Sequence, residues 1–226
     1  MSSVRRIEAP PARPPLCTDL VPADRVSDKL REALAERARP DDPDAQPRAF
    51  TQHQLETLRA MLDRVIPDAR IYAMDLALRL DRMMAEQDGN GWRYEALPTD
   101  PDAYKVGLAS LDAIAQGQAE CTFRELPAET QDGLLDAIQR EEASARDDGE
   151  LFDAKQMALW FEEVRSDAVR HYVAHPAVMA RIGYSGFANG GGTGESFSGF
   201  QWVGIEQREA WEPQPVAVPS TEGLVR

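Results

Sequence analysis

Phe50-Thr51-Gln52-His53-Gln54-Leu55-Glu56-Thr57-Leu58-Arg59-Ala60-Met61-Leu62-Asp63-Arg64-Val65-Ile66-Pro67 is the stretch that decides the fold class. Leu55, Leu58, Leu62 and Val65 recur at steps of three and four, the mark of a helix with one buried face. Thr51 and Gln54 stand in capping-box register, and Phe50 is placed as a hydrophobic staple. Pro67 stops the helix, because the residue before a proline is pushed out of helical geometry.

Downstream the same period continues. Residues 69–86 read as one helix with two apolar stripes: Tyr72, Leu76, Leu80 and Met83 on one side, Ile71, Met74 and Leu78 nearly opposite. A helix apolar on two sides is sandwiched between others, so this one is expected to be central. Asp88-Gly89-Asn90-Gly91 is a turn cluster. Tyr104, Leu108, Leu111 and Ala115 mark a third core helix. Pro127 opens a fourth, with Leu134, Leu135 and Ile138 inside. A fifth, from about Asp153 to Ala174, carries Met157, Trp160 or Phe161, Val164, Ala168 and Tyr172 on one face, and Pro176 follows its end.

The flanks differ in kind. Residues 1 to about 23 are Pro-rich and aperiodic, the pattern of an extended arm. Ser27 can cap a short helix to Arg39, but its stripe of Val26, Leu30 and Leu34 is thin and needs something to dock on. Residues 40–48 read as a linker. From Gly183 to Gly204 glycine is dense among Tyr184, Phe187, Phe197, Phe200 and Trp202, which excludes a helix, and there is no alternation for a strand. The expected architecture is all-α: an antiparallel helical bundle over 49–182, a Pro-rich arm with one short helix over 1–48, and a Gly-rich irregular segment with a tail over 183–226.

Composition narrows the function. The formal net charge of -14 repels nucleic-acid phosphates and anionic lipid, so neither is an expected partner. No run is apolar enough for a membrane span. Arg5-Arg6 could open a twin-arginine signal, but Glu8, Pro10 and Pro11 occupy the place of its apolar stretch, so the chain's own sequence points to the cytoplasm. Cys17 and Cys121 form no CxxC pattern and read as free thiols, the alternative being a bond to each other or to a partner chain.

Chemistry-bearing patterns are sparse. Asp167, His171 and His175 lie four apart on one helix face, a spacing at which carboxylate and imidazole can hold a metal. Against this, His175 precedes Pro176, and a histidine near a helix C-terminus is favoured without any metal. A stand-alone metal protein on that face is the alternative to an accessory role. Gly190-Gly191-Gly192-Thr193-Gly194-Glu195-Ser196 lacks the Gly-Lys-Ser/Thr ending of a phosphate loop, and Glu195 would repel a phosphate. No nucleophile elbow and no acid–base carboxylate pair stands out, so no catalytic residue is assigned.

Several segments in order resemble one family. Phe50-Thr51 with Gln54 and Leu58, then Met61 to Pro67, is similar to the opening of the gluconate 2-dehydrogenase subunit 3 family. So are Tyr104-Lys105-Val106-Gly107-Leu108, then Phe123-Arg124-Glu125-Leu126-Pro127 leading to Gln131 and Leu134-Leu135, then Phe152 and Phe161, and a closing Trp202-Val203-Gly204. The resemblance implies a non-catalytic small subunit that binds, stabilises and helps to fold a flavoprotein of the glucose–methanol–choline oxidoreductase type. That partner would hold FAD and oxidise a sugar or sugar derivative; a cytochrome c subunit often takes the electrons. This chain would itself hold no cofactor. It would be periplasmic only if exported with a partner that carries the signal. A chaperone that releases its client is the nearest variant. The arms and loop would press Leu16, Val21, Leu30, Leu34, Phe187, Phe197, Phe200, Trp202 and Trp211 onto the partner, because such ends order only when something holds them.

Overall fold

The computed structural model describes residues 14–21, 25–89, 94–145, 150–186, 202 and 204–216. Helices account for the regular structure, and no strand forms among the described residues. The chain divides into two compact units, Pro40–Val173 and the joined termini Met1–Arg39 with Ala174–Arg226. The division falls near residues 39 and 173. The reason is local to residues 40–50. This expected linker is fastened to the bundle by two buried carboxylates. Asp41 accepts from the amide of Asp75 at 3.0 Å and from Arg79 Nε at 2.7 Å. Asp81 accepts from the amides of Arg48, Ala49 and Phe50 at 2.7, 2.9 and 2.9 Å.

Two short helices precede the bundle in the chain: α1 (Cys17–Leu20) and α2 (Asp28–Arg37). The bundle helices are α3 (Gln52–Val65), α4 (Leu76–Glu86), α5 (Asp100–Ala119), α6 (Ala128–Gln139) and α7 (Ala154–Val173). The capping box of α3 forms as its sequence requires: Thr51 Oγ1 accepts from the Gln54 amide, and Gln54 Oε1 accepts from the Thr51 amide. Phe50 is buried and stacks on Tyr104 of α5, ring centres 5.9 Å apart. The apolar stripe of α3 meets α4, α5, α6 and α7. Helix α4 packs against both α3 and α7, as its two stripes require.

The expected helix over 69–86 is broken. Pro67–Tyr72 is a 3-10 helix, Ala73 adopts a left-handed conformation (φ 51°), and Asp75 then caps α4 through the Leu78 amide. The period runs through the break, which hid it: Tyr72, Met74, Leu76 and Leu78 are all buried. Helices α5 and α7 approach closely at Gly107, where a Cβ would lie 2.2 Å from the Trp160 indole. A hydrogen there lets the largest buried side chain of α7 lie against the α5 backbone.

In the terminal unit, α1 shows that part of the Pro-rich arm is helical and not extended. Another helix, α8 (Pro176–Arg181), follows α7 after a break. Pro176 is therefore the first residue of a new helix as well as the end of the old one. Gly183 closes α8 in the left-handed region (φ 66°), and a Cβ there would meet the Pro213 carbonyl at 2.9 Å. Cys17, Val21, Val26, Leu34 and Ala180 form this unit's core, with Leu20, Leu30, Met179, Trp211 and Val216 packed around it.

Candidate functional site

The three residues of the sequence-derived metal face are engaged separately. Asp167 accepts from the buried Tyr104 hydroxyl at 2.9 Å. Burial raises the Asp167 carboxyl above its ordinary range, although the Tyr104 bond and Arg170 act the other way. Burial, then the nearby Asp167 charge, pushes the Tyr104 phenol far up, so it stays a donor. His171 is held below its ordinary pKa, first by burial and then by Arg170 and Arg79. Its buried Nε2 has no hydrogen-bond partner among the described residues. His175 caps α8: its Nδ1 accepts from the Ala177 amide at 3.2 Å. The helical register that put it on one face with Asp167 and His171 ends at Val173. Among the described residues no group of three His, Cys, Asp or Glu side chains is placed to hold a metal.

The residues expected to touch a partner fall into three sets. Leu16, Val21 and Leu34 are buried within the chain, and Leu30 and Trp211 pack partly on the same small core. The thin stripe of α2 thus finds a dock in α8 and the C-terminal segment, which the sequence order concealed. Arg25 stacks over Trp211 at 5.0 Å, and Arg31 donates to the Thr18 carbonyl at 2.8 Å. Trp202 is exposed (58%), and beside it in sequence Ile205 is almost wholly so (96%). Phe187, Phe197 and Phe200, like the Gly190–Ser196 stretch, lie outside the described residues.

Both cysteines are free thiols; Cys17 is buried, and burial raises its pKa to about 11, which keeps it protonated and unreactive at neutral pH. No helix among the described residues is long and apolar enough to cross a membrane.

Two arrangements were invisible in the sequence. Asp112 of α5 gathers the His53 imidazole at 2.7 Å, the Thr57 hydroxyl at 3.2 Å and the Phe123 amide at 2.9 Å. It ties α3 and α5 to the turn before α6, which is structural work. The other is a cavity of about 500 Å³ in the bundle unit, walled by residues 40–43, α3, the 3-10 segment and the start of α4. Its ionic wall residues are Asp41, Arg59, Asp63, Arg70 and Asp75, which no motif in the sequence links.

The bundle's carboxylates join its segments, and Trp202 and Ile205 of the terminal unit are exposed. Comparison with known proteins gives the family. Residues 52–191 match the family model for gluconate 2-dehydrogenase subunit 3, and the chain belongs to that family, one of subunits in multi-subunit dehydrogenase complexes. No significant match to a curated protein or to a solved structure is found.

Proposed function

We propose that this chain is the small, non-catalytic subunit of an FAD-dependent sugar or sugar-derivative dehydrogenase, bound to a flavoprotein of the glucose–methanol–choline oxidoreductase type that it stabilises and helps to fold. Family membership over 52–191 is the observation that carries this reading. Two features support it. The best-formed polar clusters, around Asp41, Asp81, Asp112 and Asp167, are each occupied in joining segments of the chain. Trp202 and Ile205 leave apolar surface in water, as interface residues of a subunit do before assembly. FAD and the sugar would belong to the partner, and a cytochrome c would be a further member of the complex.

Co-expression tests this directly. A tagged form of this chain is expected to co-purify with the flavoprotein in fixed stoichiometry, with FAD retained. Alone, the chain is expected neither to oxidise a sugar nor to hold a yellow cofactor. A flavoprotein that folds, loads FAD and turns over equally well without this chain would overturn the reading, as would sugar oxidation by the chain alone.

A further inference from the structure

We propose that the cavity between residues 40–43 and the start of α4 is a binding site for a neutral, apolar small molecule, separate from any docking of a partner subunit. At about 500 Å³ it falls in the size range of pockets that hold drug-sized ligands. Its surface is mainly apolar, with Leu62 from α3, Ile66, Ala69 and Met74 from the segment after it, and Leu76 and Ala77 from α4.

The charges on its walls select the ligand class. Each carboxylate already faces arginine. Asp75 takes Arg59 through Nε at 2.9 Å and Nη2 at 2.7 Å. Asp63 takes Arg70, with Nε at 2.7 Å. Asp41 takes Arg79 at 2.7 Å and Arg82 at 3.3 Å. A charged ligand would have to displace a partner that is in place, whereas a neutral one displaces only water from apolar walls. The walls are also held in advance. The Asp41 amide donates to the Ala73 carbonyl at 3.1 Å while its carboxylate takes the Asp75 amide, so residues 40–43 and the start of α4 are pinned across the cavity's rim. A preformed site loses little ordering entropy on binding.

The test is a fluorescence titration of the full chain with N-phenyl-1-naphthylamine, a neutral dye that brightens in apolar surroundings. Saturable binding at one site per chain is expected. Ile66→Trp, which fills the cavity, should weaken it about tenfold. Leu62→Ala, which enlarges the cavity, should bind the dye at least as well; it decides the matter if Ile66→Trp does not fold. Dodecan-1-ol should displace the dye, and dodecanoate, of equal length but charged, should compete about tenfold less well. No saturable signal, unchanged binding in a folded Ile66→Trp, loss of binding in Leu62→Ala, or dodecanoate matching the alcohol would overturn the proposal. So would displacement of the dye by a bound flavoprotein or by self-association of the chain, since the cavity would then seat a polypeptide. Co-purification with the flavoprotein is a different readout, so either result can fail alone.

Discussion

Between Pro40 and Val173 the core runs along helices of up to 20 residues, whereas the terminal unit closes around a handful of side chains from α1, α2, α8 and the segment to Val216. In the bundle, each helix carries its own apolar stripe and needs only a neighbour of similar pattern. In the terminal unit no piece is sufficient. Helix α1 has four residues, α8 has six, and α2 has one buried leucine. Isolated helices of that length are not stable in water, so each depends on partners more than a hundred residues away in the chain. The bundle can be read from local pattern; the terminal unit exists only through long-range closure.

The largest expected effect is in the bundle. Trp160→Ala removes a fully buried indole that lies against Gly107, and should cost about 3–5 kcal/mol, read as a large fall in melting temperature or denaturant midpoint. Loss of less than about 1 kcal/mol would mean that the α5–α7 approach is not what holds the bundle.

Leu34→Ala is the counterpart in the terminal unit and sharpens the comparison most. It should cost about 2–5 kcal/mol of that unit's stability. Amide exchange should accelerate in residues 28–37 and 176–181 while residues 52–65 keep their protection. Equal acceleration everywhere would show the two cores unfolding as one, and the distinction between them would fail.

A smaller change is expected where residues 48–50 meet α4. Asp81→Asn keeps the shape but removes one of the two carboxylate oxygens that take three amides. It should cost about 1–3 kcal/mol, with faster exchange at Arg48, Ala49 and Phe50. Unchanged protection there would show that residues 40–50 are a linker after all.

The smallest effect is in pH dependence. Folded His171 resists protonation because of its burial and the nearby Arg170 and Arg79, while Asp41 and Asp88 act weakly the other way. The unfolded chain takes that proton at the ordinary histidine pKa, near 6.5. The stability His171 confers is therefore full above about pH 6.5 and is lost as the pH falls towards its lowered folded pKa. Denaturant titrations should show the bundle weakening between pH 7.5 and 5.5, with a shallower slope in His171→Leu. An equal slope in the variant would remove His171 as the cause.

The bundle helices were legible because Leu55, Tyr104, Leu134 and Met157 each begin a stripe that repeats at the helical period, and Thr51 with Gln54 signals a start that forms as written. The break at Ala73 was not legible, since apolar residues continue through it and alanine gives no warning of a left-handed conformation. The Asp167–His171–His175 face failed for a related reason: four-residue spacing implies a shared face only while one helix lasts, and it ends before His175.

Local sequence determined the all-α class, the caps of α3 and the buried stripes, because these follow from interactions a few residues apart. Three things were decided only in three dimensions: the meeting of Val21 and Leu34 with α8, the fastening of residues 40–50 by Asp41 and Asp81, and the cavity walled by paired charges. Each joins surfaces from distant parts of the chain, and no periodicity records which distant surfaces will exclude water from one another.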